Sequence, residues 1–489
     1  MKKITKLQVL LLAGLLSLSG CEKVLQPKVY SQINAADFPK TEADVLSAFI
    51  PFYVQFNPNY GSTDISRGTF DFSLTAGFLG YTWATTTQTD EATDLYYFPY
   101  SQFTLGPASV ANSSGQSFYD RVSYVAKLTS LINKIDKSGI NNKALYTAEA
   151  RGLRAWLMYV LYDLYGPVSV KLDPATVDAN EILPRLTQAD YVAAMESDLQ
   201  AAITGLPDKY NNTANWGRMS KGVARMVLLK LYMHDKQWAK AQVVGKELLG
   251  MGYQLDPSYK DVFITSQNSE IIFAVPGNES TTNIWYACIL PADAINVLGN
   301  DVTKGDKYKL IEMPWVFYDK YAPNDTRLQT IANSYVRPGG QTVTRTTGLT
   351  GAIPMKYTRY VSNGYGYDYV IYRYADVLLA MAEITNELSG PTAEAKGYLT
   401  QVTDRAGTTA TVPALGSQGD MRSFILDERG RELYYEFGIR RQDLIRNGSF
   451  ISNARARGFA TAQDTQVLFP IPSDVIIQSG GIIAQNPGY

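Results

Sequence analysis

The sequence predicts a mainly α-helical protein in which several helix pairs form a scaffold and two long irregular excursions, made of loops and short strands, form a ligand face. Apolar residues recur at helical spacing within residues 119–267 and 369–450. Gly, Ser, Thr, Asn and aromatic residues without a sustained helical period dominate residues 51–118 and 268–368. Turn signals such as Gly166-Pro167 end the helical runs sharply.

Residues 22–50 are mixed and polar, which predicts a tether leading into a first helix around Thr41 to Phe49. Residues 51–118 then read as loops and short strands. Helical order begins near Tyr119. Leu153, Trp156, Leu157, Val160, Leu161 and Leu164 share one buried helix face, and Thr187 to Ile203 is amphipathic with Val192, Met195 and Leu199 together. Ala224, Val227, Leu228, Leu231 and Tyr232 form the next apolar face; after a break at Asp235 to Gln237, another follows at Ala241, Val244, Gly245, Leu248 and Leu249. These two segments resemble a tetratricopeptide (TPR) helix pair, and looser pairs can be drawn around Tyr119 to Tyr165 and Ile371 to Arg405. Between them, Glu270 to Val275 reads as a strand, and helical spacing returns briefly around Trp315 to Tyr321. The long excursion at 268–368 is too aromatic for disorder, so it reads as functional.

The chain has 489 residues, 45 basic and 46 acidic, with a formal net charge of -1. No basic stripe is present, which argues against a nucleic-acid partner. Residues 1–20 read as a signal peptide: Lys2, Lys3 and Lys6 precede an apolar run from Leu7 to Leu18 that is too short to cross a bilayer. Leu18-Ser19-Gly20-Cys21 resembles the bacterial lipobox, which implies that Cys21 is lipidated. The mature chain, 21–489, would then be membrane-anchored by acyl chains, each buried methylene contributing about 0.8 kcal/mol. Only Cys288 remains, in an apolar setting that predicts a buried structural thiol, and an internal disulfide is excluded. His234 is the single histidine, so no Cys/His zinc cluster can form; no metal and no cofactor is expected.

From Asp427 to Gly448 the chain interleaves Glu428, Arg431, Glu432, Arg440, Arg441, Asp443 and Arg446 with apolar Leu433, Phe437 and Leu444. Spacings of three and four place Glu428 beside Arg431 and Glu432 on a helix, and such density also fits a solvated helical face. The pattern Glu-Arg-x-x-Glu-Leu followed by Gly-x-Arg-x-x-Asp-Leu-x-Arg-x-Gly resembles the C-terminal motif of SusD/RagB-family nutrient-binding outer-membrane lipoproteins. Three further stretches are similar to the same family in the same order: Ala148 to Pro167 ending in Tyr-Gly-x-Pro, Tyr372 to Glu383, and Leu468 to Tyr489 with Phe-Pro-Ile-Pro and a terminal Gln-Asn-Pro-Gly-Tyr. One departure is Phe437, which separates Glu436 from Gly438 where the family runs Glu-Gly; a bulged helix end is expected there. The resemblance implies a SusD-like fold over most of 21–489 and a non-catalytic, cell-surface glycan binder. It also implies a SusC-like TonB-dependent transporter as partner.

The composition, with 34 Tyr and 6 Trp beside 18 Phe, suits sugar recognition, because flat rings meet C–H faces while polar neighbours meet hydroxyls. Trp156, Tyr232, Trp238 and Trp315 fall in helical patterns and read as core. Trp83, Trp285 and Tyr286 lie in the excursions, where loops present binding groups, and are the candidate platforms. Asp64, Arg67 and Asp90 are the candidate hydroxyl partners, and Asp90-Glu91 resembles the family's Thr/Ser-Asp-Glu segment. A RagB-type peptide binder is an alternative on the same scaffold. A surface glycoside hydrolase is a lesser alternative: it would need two carboxyl groups about 5–9.5 Å apart, which adjacent residues on a strand do not provide, and nothing in the sequence selects a more distant pair.

Overall fold

The computed structural model describes residues 38–56, 78–97, 99–110, 118–277, 288–304, 307–357, 368–412, 414 and 416–489. Its longer helices are α1 (Glu42–Tyr53), α2 (Phe78–Thr87), α3 (Val122–Lys137), α4 (Lys143–Tyr165), α5 (Gln188–Gly205), α6 (Lys221–His234), α7 (Trp238–Leu249), α8 (Tyr374–Ser389), α9 (Ala393–Arg405), α10 (Gln418–Leu433), α11 (Ile439–Arg446) and α12 (Phe450–Ala456). Side-chain caps start many of them. Thr41 and Asp44 form a capping box on α1, as do Ser417 and Asp420 on α10, while Thr187, Ser220 and Thr392 each accept from a first-turn N–H of α5, α6 and α9.

Consecutive helices from α3 to α9 pack against one another in a ladder, and α10 joins by packing on α8. The predicted pairs around 119–165, 224–249 and 371–405 are thus real helix pairs, although α4 differs in kind from a one-faced helix. Nearly its whole circumference from Tyr146 to Tyr165 is buried, including Glu149, Arg154 and Asp163. A helix enclosed on all sides is a central element rather than a surface one. Its buried charges have partners: Arg154 donates to Asp198 at 2.7 Å, and Glu149 accepts from Arg218 Nε at 3.1 Å.

The strands are short: β1 (Thr93–Asp94), β2 (Ile271–Val275), β3 (Asn296–Val297), β4 (Asn300–Asp301), β5 (Ile311–Glu312), β6 (Ile331–Ala332), β7 (Ser334–Val336), β8 (Thr342–Thr344), β9 (Ile353–Pro354) and β10 (Tyr369–Arg373). All pair antiparallel: β2 with β10, β1 with β5, β6 with β9, and β4-β3-β7-β8 in one sheet. The β2–β10 ribbon leads directly into α8 and carries Phe273 and Tyr372 against Trp156 of α4, with ring centroids 5.0 and 5.6 Å away.

The C-terminal residues close the end of α4. Its last carbonyls would be orphaned in the interior. Phe469 N donates to Leu164 O at 2.7 Å, and Asn486 Nδ2 donates to Tyr165 O at 3.0 Å and Phe469 O at 2.7 Å. Gln485 holds Ile471 through both its N–H and its C=O, and the Tyr489 hydroxyl donates to Leu468 O at 2.9 Å. Two motifs 300 residues apart in sequence are therefore one structural unit.

The charged stretch at 427–448 is not a solvated face. It forms the end of α10, a turn and α11, and its Glu428, Glu432, Glu436, Arg440, Arg441 and Asp443 are all buried. Arg373 Nη1 donates to Glu432 at 2.6 Å and Glu270 at 2.8 Å, while its Nε donates to Glu436 at 2.8 Å. Arg327 bonds Glu428 at 2.7 Å and Glu432 at 3.1 Å, and Arg405 bonds Glu270 at 2.6 Å and pairs with Glu432. A second knot joins Arg429 to Asp376 and Asp443, and Arg446 to Glu383 and Asp443, at 2.6–2.9 Å. α10 ends at Leu433, and the turn after it is irregular around the inserted Phe437: Tyr435, Phe437 and Gly438 have φ of 57°, 40° and 67°. Glu436 nonetheless points inward, to Arg373 and Lys356. Gly438 is required on two counts, because a Cβ there would also sit 2.6 Å from Thr85 Oγ1 of α2.

Breaking a buried pair leaves the other charge uncompensated, so Arg373→Met should destabilise the fold by about 3–5 kcal/mol in denaturant titration. A value under about 1 kcal/mol would show the network to be dispensable. Arginine neighbours hold the Glu432 carboxyl well below the usual range, against the cost of burial. Its folded pKa is depressed, so the stability it contributes is full above the unfolded carboxylate pKa and is lost as pH falls toward the folded value. Wild-type melting temperature should therefore drop steeply below about pH 4, and Glu432→Gln, already destabilised, should show a shallower drop.

Candidate functional site

Trp83 and Asp90, expected to face ligand, are core residues. Residues 78–87 form α2, where loops and strands were expected; Trp83 is fully buried in it. Its threonines misled because β-branched polar residues disfavour helix interiors. Here Thr85 donates its hydroxyl to Tyr81 O at 2.7 Å and Thr87 donates to Trp83 O at 2.8 Å, which satisfies the hydroxyls without leaving the helix. Asp90 accepts from Arg440 Nε and Nη2 at 2.7 and 2.8 Å and from Lys320 at 3.1 Å. It is the structural counter-ion of an α11 arginine and not a hydroxyl partner. Asp64, Arg67, Trp285 and Tyr286 lie outside the described residues, as does Cys21.

Trp156 and Tyr232 are buried as expected, Trp238 and Trp315 are half-buried, and Cys288 is fully enclosed, where burial pushes its thiol pKa up. His234 packs 5.0 Å from the Tyr162 ring and 4.0 Å from Asp163, consistent with a structural role at the end of α6.

Among the described residues, three aromatic rings are well exposed. Tyr96, Tyr97 and Tyr308 are 61%, 70% and 41% exposed. They come from the two excursions and are brought together by the β1–β5 pair, in which Thr93 lies opposite Glu312 and Asp94 opposite Ile311. Leu95 N extends the pairing to Leu310 O at 2.9 Å, so the next residues along are Tyr96-Tyr97 on one side and Lys309-Tyr308 on the other. A third segment joins behind them: Leu310 N donates to Cys288 O at 2.6 Å and Lys309 N to Leu290 O at 3.0 Å.

The loop carrying the two tyrosines is fixed from within. Asp94 accepts from Tyr96 N at 2.8 Å through one oxygen and from the Ser101 hydroxyl at 2.6 Å through the other, and Tyr97 takes a left-handed φ of 60°. Lys309 reaches Thr350 Oγ1 at 2.9 Å and Glu312 at 3.3 Å beside the same strands. Rigid rings bordered by such polar groups match what a sugar face and its hydroxyls require. The signal available in sequence was the Tyr-Tyr pair after a two-residue strand, but nothing there indicated which residue 308 would be beside it.

Beneath this surface, Glu91 is buried and its Oε2 has no hydrogen-bond partner. Burial pushes its pKa up to about 8, outweighing the opposing pull of Arg440. Because the folded pKa is raised, the unfolded chain binds fewer protons between about pH 4.3 and the folded value, and stability falls as pH rises through that window. Glu91→Gln should flatten this decline, with equal or higher melting temperature at pH 8; a variant less stable than wild type at pH 8 would show that the charged form is favoured.

Two family models match the chain. One, described as SusD family, covers residues 315–489, and the other, described as starch-binding associating with outer membrane, covers 86–233. The chain belongs to the SusD/RagB family. SusD-like protein P2 of Formosa agariphila is 26% identical over 393 residues, 73% of this chain and 76% of that protein. Among solved structures, surface glycan-binding protein A from Bacteroides thetaiotaomicron in complex with laminarihexaose superposes with a TM-score of 0.72 at 19% identity, covering 91% of this chain and 100% of that one. A laminarin binding SusD-like protein gives 0.71 at 23%, covering 92% and 100%. This SusD-like chain shares their mainly helical fold, and the family's glycan-binding members are non-catalytic.

Proposed function

We propose that this SusD-like chain is a cell-surface lipoprotein that captures an oligosaccharide on its tyrosine surface and delivers it to a SusC-like TonB-dependent outer-membrane transporter. The observation that carries the proposal is the exposure of Tyr96, Tyr97 and Tyr308 on the two segments that adjoin the paired strands β1 and β5, one from each excursion. Trp285, Tyr286, Asp64 and Arg67 complete the proposed set. The laminarihexaose and laminarin named for two structural neighbours make β-glucan oligosaccharides the first ligands to test. The proposed anchor is a diacylated Cys21, supported by the Leu-Ser-Gly-Cys sequence.

A rigid ring loses little freedom on binding, whereas each polar partner exchanges a water contact for a sugar contact. Tyr97→Ala and Tyr308→Ala should therefore each cost about 2 kcal/mol of oligosaccharide affinity by calorimetry, and Trp83→Phe should cost none unless the fold is lost. A glycan and peptide array with the soluble chain identifies the ligand; capture of peptides alone would replace the glycan by a peptide. Cys21→Ala should release the protein from membranes and abolish fatty-acid labelling. Affinity purification from solubilised membranes should recover a much larger barrel protein, and its consistent absence would remove the transporter from the proposal.

A further inference from the structure

Glu91 stands where the charged interior meets the segment that carries two of the exposed tyrosines. It lies two residues before β1 and is buried. Its neighbour Asp90 takes the nearby cations. Arg440 binds Asp90 through Nε and Nη2 and spends Nη1 on Leu426 O at 2.7 Å, while Lys320 is shared between Asp90 and Asp427 at 3.1 and 3.2 Å. Among the described residues Glu91 has no ion pair of its own, and its Oε2 has no hydrogen-bond partner.

Each element packed around the carboxyl presents a group to it. α11 presents Arg440, the turn after α10 presents the Tyr435 N–H, which hydrogen-bonds the carboxyl, and the segment after β9 presents Lys356, which is paired with Glu436. Burial first, and then the carboxyls of Glu91 and of Glu312 in β5, raise the pKa of the Tyr435 hydroxyl, so the ring between strand and turn stays neutral. An ionised Glu91 would therefore stand beside Asp90 with every facing cation engaged by another acid, whereas the neutral acid leaves a single oxygen unsatisfied.

The chain beyond Glu91 is the weakest part of this surface. β1 has two residues, paired with β5 at Thr93–Glu312 and Asp94–Ile311 and extended by Leu95 N to Leu310 O at 2.9 Å. So short a pairing opens before the core does. Asp90 is fixed by Arg440 on one side, and an ionised Glu91 reaches water with least disruption when residues 91–95 lift from β5. With a folded pKa of about 8 and an unfolded carboxylate value of about 4.3, the closed form binds the extra proton between those limits. Opening then grows by up to about tenfold per pH unit through that window and levels off above it.

We propose that Glu91 is a proton-operated latch on the tyrosine surface: as the neutral acid it keeps β1 seated on β5 with Tyr96 and Tyr97 in place, and loss of its proton favours release of β1 and of the oligosaccharide held there. The release of ligand rests on the tyrosine surface being the binding site; the latch itself does not. Amide hydrogen exchange on the soluble chain from pH 5 to 9, corrected for the intrinsic pH dependence of exchange, tests the latch without ligand. Protection of the Leu95 N–H should fall by up to about tenfold per unit to about pH 8 and then level off. Met313 and Ala352, whose N–H groups bond each other's carbonyls beyond β5, should keep theirs. Glu91→Gln should hold Leu95 protection flat; Lys356, which keeps its own proton up to about pH 8, is untouched by that change. Leu95 protection that is flat in the wild type, that falls equally in Glu91→Gln, or that falls together with Met313 and Ala352 overturns the proposal. Titration with laminarihexaose reads the consequence: wild-type affinity at pH 8.5 should be at least about tenfold weaker than at pH 5.5, with no loss in Glu91→Gln. Equal wild-type affinity at both values overturns the release step, whereas no binding at pH 5.5 removes the ligand assignment and leaves exchange to decide the latch.

Discussion

Arg373 has no exposed surface, and its guanidinium touches three glutamates, contributed by the turn leading into β2, by α10 and by the turn after α10. Arg405 pairs with two of the same three, Glu270 and Glu432, while Arg327 pairs with Glu432 and with Glu428 and Asp325. Each of these ions would cost several kcal/mol to bury alone, so none can leave the interior without stranding the rest. The consequence is a strict geometric condition: the long excursion that supplies Arg327, the ribbon that supplies Glu270 and Arg373, and helices α9 and α10 must arrive together. Plain hydrophobic packing would tolerate small slips of these elements, whereas bidentate pairs do not.

The same condition reaches the surface. Arg440 is carried by α11, immediately after the network's turn, and fixes Asp90 just before β1. β1 pairs with β5; Tyr96 and Tyr97 follow the one strand and Tyr308 precedes the other. The exposed rings are thus connected to the charged interior through Asp90, Glu91 and a two-residue strand. Groups that should hold still while a sugar stacks on them sit on short segments with their polar ends tied down, which is how a loop surface gains rigidity without long strands.

At the other end of α4, a different problem has a similar solution. A buried helix C-terminus exposes carbonyls that water cannot reach, and the chain's final residues supply Phe469 N–H and the Asn486 amide to meet them. The Phe-Pro-Ile-Pro run keeps this segment extended, since each proline biases the residue before it away from helix. The close of the chain is therefore part of the core.

Local sequence was sufficient to determine the helices. Apolar spacing at 3.6, Ser and Thr caps, and Gly-Pro stops are short-range properties, so α4 to α10 and strand β2 were legible in the residues themselves. Long-range pairing was not. Whether Glu432 and Arg441 face water or each other's partners depends on which residues hundreds of positions away arrive opposite them, and only the folded chain showed these charges buried. The same reason moved Trp83 and Asp90 from the expected ligand face into the core: threonines that bond back to their own helix, and an aspartate claimed by Arg440, look like loop residues when read singly. It also decided that Tyr96, Tyr97 and Tyr308, among 34 tyrosines with no local feature to distinguish them, are exposed on segments adjoining the paired strands β1 and β5. Burial and pairing are properties of the assembled interior, and periodicity along one segment carries no information about its distant partners.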